Sequence, residues 1–165
     1  MKTLRSTILA AASLVVLCQS GLAQKKTYSG PRPSKTDIPF LLHADNLIPT
    51  ETGESREEKR KNETVATVAG ATSPVRTPLA EPIFLLESTK TDPGQLELWK
   101  LEVKDGNRQL VIPDKPKKNS PRPLRLVLTK LDDALFRVEV NEVLENGEYS
   151  LSPRGSNQVF CFQVY

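Results

Sequence analysis

Apolar and polar residues alternate with a period of two along much of the second half of the chain. Leu124, Leu126 and Leu128 interleave with Arg125, Val127 and Thr129, and Phe136, Val138 and Val140 with Leu135, Arg137 and Glu139. That period sends successive side chains to opposite faces, so both segments predict half-buried strands. The final segment differs. Phe160, Phe162 and Val164 form one face, and Val159, Cys161 and Tyr165 the other, with Gln163 the one clearly polar residue, which predicts an interior strand. Further strands are predicted at Thr64–Ala69, Pro82–Ser88, Leu96–Val103, Arg108–Ile112 and Glu148–Ser152. A repeat of short strands at roughly ten-residue intervals is that of a sandwich or barrel. Asp105-Gly106 supplies the positive φ angles of a two-residue type I′ turn. Pairing Lys104 with Asn107 across it sets Leu101 opposite Leu110 and Trp99 opposite Ile112 on one face.

The preceding residues are patterned less clearly. Lys25 to Lys35 is basic and holds Pro31 and Pro33, which predicts an extended, poorly ordered leader. Ile38 to Leu42 is apolar enough for a strand, and Pro39 restricts it to a strand start or an edge. Glu51 to Glu63 holds five acidic and four basic residues, which predicts a solvated loop or a short exposed helix. The expected organisation is a leader over 24–37, an edge segment and charged loop over 38–62, and a β-sandwich over 63–165. On that division, removing residues 24–60 leaves the sandwich folded.

The chain opens with Lys2 and Arg5, an uncharged and mostly apolar run from Ile8 to Leu17, and the small residues Gly21 and Ala23 flanking Leu22. This is the pattern of a secretory signal peptide over 1–23, cleaved between Ala23 and Gln24. Ten residues span only about 15 Å as a helix, roughly half the hydrocarbon thickness of a bilayer, so no transmembrane anchor is expected after cleavage. A lipoprotein modified at Cys18 fits less well, because Leu17 precedes that cysteine where a small residue is usual. The expected localisation is secreted or periplasmic. Composition then changes the picture: losing Lys2 and Arg5 takes the basic count from 23 to 21 against 20 acidic residues, so the net charge falls from +3 to +1. That leaves no basis for a nucleic-acid partner. Cys18 leaves as well, and Cys161 alone forms no intramolecular disulfide.

Leu144 to Leu151, with Gly147 and Tyr149, resembles the corner that enters strand F of immunoglobulin-like sandwiches, where glycine permits the turn and the tyrosine hydroxyl ties the chain back to its backbone. With Leu151 at the position of the second cysteine of antibody domains, Leu86 and Trp99 fall at spacings resembling the first cysteine and the core tryptophan. The ending, Gly147-Glu148-Tyr149-Ser150-Leu151 followed by Val159 to Val164, is similar to that of uncharacterised exported bacterial proteins, as is Phe40 to Leu47 to their start. The resemblance implies an immunoglobulin-like antiparallel β-sandwich of about 7–8 strands in a bacterial envelope or secreted setting, and implies no activity.

Candidate chemistry is sparse. His43 is the one imidazole, with Asp45 beside it but no serine or cysteine motif to accompany it. One histidine and one mature cysteine do not assemble a nitrogen and sulfur zinc site, and no metal or other cofactor is expected. Cys161, between two phenylalanines, reads as a small hydrophobe. Asp132, Asp133, Glu139, Glu142, Glu145 and Glu148 lack calcium-loop spacing and read as a solvated strand face and corner. The basic loop stands out: Lys115, Lys117, Lys118, Arg122 and Arg125 lie among Pro113, Pro116, Pro121 and Pro123, opposed by Asp114. Proline keeps such a loop extended, and its charges suit an anionic polymer, phospholipid head groups or an acidic partner.

These readings converge on a non-enzymatic binding or structural accessory of the bacterial envelope, whose partner is an envelope protein or an anionic polymer. Phe40, Leu41 and Leu42 are the expected apolar contacts for β-augmentation of a partner sheet. Two alternatives are an electrostatic binder acting through Lys115, Lys117, Lys118 and Arg122, and an enzyme whose catalytic residues are too dispersed to form a motif.

Overall fold

The computed structural model describes residues 28–165. The expected signal peptide, Cys18, the expected cleavage site between Ala23 and Gln24 and residues 24–27 lie outside the described residues. The chain forms thirteen strands: β1 (Phe40–His43), β2 (Asn46–Pro49), β3 (Glu51–Glu54), β4 (Arg56–Lys59), β5 (Glu63–Val68), β6 (Arg76–Thr77), β7 (Ile83–Glu87), β8 (Leu96–Lys104), β9 (Asn107–Pro113), β10 (Leu126–Lys130), β11 (Leu135–Val140), β12 (Gly147–Pro153) and β13 (Gln158–Val164). A single turn of 3-10 helix at Pro93–Gln95 precedes β8. No helix among the described residues is long and apolar enough to cross a membrane.

The strands make an antiparallel β-sandwich. One sheet runs β10-β11-β7-β1-β2 and the other β3-β13-β12-β8-β9-β5-β4, with β6 added in parallel to β13. Within them, β10-β11-β7-β1 and β13-β12-β8-β9 follow the D-E-B-A and G-F-C-C′ orders of immunoglobulin-type sandwiches. Leu41, Phe84, Leu86 and Val138 from the first sheet meet Leu98, Tyr149, Leu151, Phe160 and Phe162 from the second. The Phe162 ring lies 5.0 Å from Phe84 and 5.6 Å from Tyr149, tying the sheets through aromatic contacts.

All eight strands expected from the alternating pattern are present, and the hairpin pairs Lys104 with Asn107 as expected, but its ladder stops at Glu102–Gln109, so the expected pairs Leu101–Leu110 and Trp99–Ile112 do not form. Its turn residues Asp105 and Gly106 take φ values of 52° and 74°. The corner also forms: Tyr149 Oη donates to the Glu145 carbonyl at 2.8 Å. A Cβ on Gly147 would sit 3.3 Å from Lys100 Cε, so glycine suits this crossing. Leu86 and Leu151 are both fully buried in the inter-sheet core. Trp99 is not. Leu96 and Leu98 of β8 point into the sandwich, and strand parity sends Trp99 to the opposite face, so Leu98 fills the core.

Five strands beyond the eight come from residues 40–77. The segment expected as a charged loop or helix is extended: β3 pairs with β13 and β4 with β5. Only Ser55 separates β3 from β4, so one continuous stretch joins the two ends of the second sheet and closes it into a barrel. With β3 and β4 counted as one strand, β13, β12, β8, β9 and β5 complete the circuit. Its parity is unbroken. Glu51 and Gly53 stand opposite Cys161 and Val159, and Glu57 opposite Ala66, all on the barrel's inner side. Backbone pairing, not apolar side chains, holds this segment in place.

The expected role of Phe40, Leu41 and Leu42 is overturned. Strand β1 lies between β7 and β2, with both backbone edges paired, and Phe40 and Leu41 are buried, so they are unavailable to a partner sheet. Pro39 stands just before β1, and its carbonyl accepts from Thr50 N and Oγ at 3.1 and 2.8 Å. A chain starting at Arg60 lacks β1 and the strand that closes the barrel. It should show no cooperative urea transition by circular dichroism. A transition at the full chain's midpoint would refute this placement.

Candidate functional site

The barrel's inner face is the second side of the sandwich sheet. Val68, Leu101, Leu110, Val159 and Cys161 form its own apolar cluster, with Ala66 and Trp99 packed against them. One end is closed by charge. Arg108 of β9 is fully buried and donates from Nη1 and Nη2 to Glu51 at 2.6 and 2.8 Å. It also donates to the carbonyls of Gly70 and Ala69 at 3.0 and 2.9 Å. Glu148 stands 3.8 Å from the same guanidinium and accepts from Thr72 Oγ1 at 2.8 Å and Ser73 N at 3.0 Å. The planar guanidinium thus ties β9, β3 and β12 to the 69–73 loop. Arg108 holds the Glu51 carboxyl below its usual range, and Glu51 in turn raises the arginine.

The other end is open. The β8–β9 ladder ends at Glu102–Gln109. Beyond it, Trp99 and Leu101 of β8 and Leu110 and Ile112 of β9 line a cavity of about 170 Å³. Val68 and Val159 complete the apolar wall, while Ser55, Glu57, Glu97, Ser150, Ser152 and Arg154 supply polar groups. Ser150 and Ser152 hydroxyls lie 3.0 Å apart. Glu97 accepts from the Trp99 indole N–H at 3.2 Å and from Arg154 Nε at 2.8 Å. Glu57 is exposed and has no ion pair among the described residues.

Of the residues singled out in the sequence, Lys115, Lys117 and Lys118 are exposed and carry no ion pair among the described residues. The loop they occupy is pinned at both ends. Asp114 N donates to Asn62 O at 2.9 Å and its carboxylate pairs with Lys59, while Leu124 N donates to Leu98 O at 2.7 Å. Arg122 is taken up structurally by Glu142, at 3.0 and 2.7 Å. Arg122, and a hydrogen bond from Arg125 N at 2.6 Å, lower Glu142 to about 2. The cavity lining and the basic loop share no residue. Gly147 and Tyr149 build the corner described above.

The acidic residues expected on a solvated face have specific partners. Glu148 is buried, because strand parity turns it into the barrel towards Arg108. Glu139 pairs with Arg137 at 2.9 Å, Glu145 with Lys100 at 2.6 Å, and Asp132 with Arg32, while the Asp132 carboxylate also accepts from Asp133 N. His43 is exposed on the tight β1–β2 hairpin. Cys161 is fully buried, and burial pushes its thiol up to about 11 against the opposing pull of Arg108. No group of three or more metal-ligating side chains occurs among the described residues.

Two functional-looking features escaped the sequence reading. Arg108 was legible only as one member of a strand, since its partners lie far away in the chain. Asp37, within the expected leader, takes φ 60° and accepts from the backbone N–H groups of Thr89, Lys90 and Thr91 at 2.8–2.9 Å. Burial opposes the carboxylate, yet these bonds and the Thr89 hydroxyl hold it well below its usual range. Asp followed by a strand start was its only local signal. No protein-family model matches the chain, and comparison with curated proteins and with solved structures found no match.

Replacing Arg108 by Met leaves Glu51 and Glu148 without their buried counter-charge, and should cost about 3–5 kcal/mol in urea unfolding. A loss below about 1 kcal/mol would show that the cluster contributes little net stability. Acid should act through Glu142 with a definite sign. Its folded pKa is depressed from 4.5 to about 2, so its contribution is present above about pH 4.5 and is lost as pH falls from there through 2. Glu142→Gln should flatten the fall in melting temperature across that window, and an unchanged profile would contradict the linkage.

Proposed function

We propose that the protein is an exported, non-enzymatic binding accessory of a bacterial envelope, secreted or periplasmic. One observation carries the binding part of this reading. The second face of the sandwich sheet is enclosed as a barrel around an apolar cavity that opens to solvent beside hydroxyl and charged groups. Apolar walls with a few oriented polar groups are the usual chemistry of small-molecule sites. Asp37, Glu142 and Cys161, whose protonation is shifted furthest, are held in loop and core contacts, which suits a scaffold. The basic, apolar and small-residue pattern before Gln24 supports export, and the Gly147–Tyr149 strand with the aromatic last strand supports kinship with exported bacterial proteins.

A second reading is favoured by Lys115, Lys117 and Lys118. Their loop is anchored at both ends, Asp114 is neutralised by Lys59, and the three ammonium groups face solvent without ion pairs among the described residues. Such a cluster suits an anionic glycan or lipid surface.

Expression of the full chain in a bacterium should yield a periplasmic or released product starting at Gln24. A product retained in the cytoplasm with Met1 intact would contradict export. Retention on heparin beads should fall with salt and drop at least about fivefold in the Lys115→Ser/Lys117→Ser/Lys118→Ser variant, since exposed charges act through a screened field. Unchanged retention would remove the second reading.

A further inference from the structure

The barrel mouth carries an inference about ligand chemistry that rests on the binding reading above. A cavity of about 170 Å³ is close to the engineered apolar cavity of roughly 150 Å³ that admits benzene. Its volume suits one aromatic ring or a short branched alkyl group, with anything longer projecting through the opening. Ala66, opposite Glu57, brings only a methyl group to the interior. Large walls at Trp99, Leu101 and Leu110 surround this small position, which leaves space at this level.

The charges around the opening select the head group. Glu97 is satisfied by Arg154 and by the Trp99 indole, so that pair is neutral. Glu57 brings the remaining charge, a carboxylate on the inner side of β4 with no cation assigned to it among the described residues. The opening is therefore negative by one unit. A ring-sized body in the apolar chamber would direct its polar end towards Glu57, with the Trp99 π-face as a second attraction for a cation. We propose that the barrel mouth is a binding site for small primary amines with an aromatic or short alkyl body, seated between Trp99 and Leu110, with the ammonium on Glu57.

Trp99 is the single tryptophan of the chain, so its emission reports on this site. Phenethylamine titrated into the full chain should change that emission saturably. Phenylethanol, of the same shape without the charge, should bind at least about fivefold more weakly, and phenylacetate should not bind. Glu57→Gln, an exposed change outside both cores, should bring the amine down to the affinity of the alcohol. Ala66→Phe, which fills the chamber, should abolish the response to both while circular dichroism stays that of the parent; if that variant unfolds, Glu57→Gln still decides. Equal affinity for amine and alcohol, or an unchanged amine affinity in Glu57→Gln, would overturn the amine assignment and leave the cavity a binding site. No saturable response to any of the three compounds would overturn both.

Discussion

Strand β13 is apolar on both faces, and a strand of that kind must be kept dry on two sides. The inter-sheet core covers Phe160, Phe162 and Val164. On a plain two-layer sandwich the other face would leave Val159 and Cys161 in water, together with Leu101 and Leu110 of the same sheet. Burying an aliphatic side chain is worth about 1.5–3 kcal/mol, so several exposed at once would be a heavy loss for a domain of this size. Closure of the sheet through residues 51–59 removes it. The sandwich and the barrel therefore share β8, β12 and β13, and neither layer is complete without the other.

That solution brings charge into the interior, because the closing segment is made of polar residues. Its inner side begins with Glu51, whose carboxylate would be costly to bury alone. Arg108 answers it from across the barrel with a bidentate contact and uses its remaining donors on the carbonyls of Ala69 and Gly70. The loop bearing those carbonyls also satisfies Glu148 through Thr72 and Ser73. Two acids, one base and a loop thus satisfy one another's hydrogen bonds where the barrel narrows. At the opposite end no such cluster fills the interior, and the space remains open.

How much of this was legible follows from where each signal resides. Alternation is local, so Leu135–Val140 was readable to the residue and the other seven strands to within a few. The Asp105-Gly106 turn and the Tyr149 corner were readable because their partners lie two to four residues away. What escaped was non-local. Trp99 matched a familiar spacing, but parity along β8 gives the core to Leu98. Glu51 to Lys59 resembled a solvated loop because most of its side chains are charged and exposed, and β pairing of its backbone leaves no trace in composition. The cavity escaped for the same reason: it depends on the smallness of Ala66 among Trp99, Leu101 and Leu110, which are distant from it in the chain. The Lys115–Arg125 cluster was visible as charge, whereas the separation of Arg122, bound to Glu142, from the free lysines required coordinates.

The pairing of Glu51 with Cys161 joins an early segment to the last strand. Folding of this kind has a high contact order, since the closing contacts form only after a long loop is ordered. While the chain is being made, β3 is without its partner until β13 has been added. Closure of the barrel therefore cannot precede the arrival of β13, and until then Glu51 lacks the neighbouring strand that holds it beside Arg108.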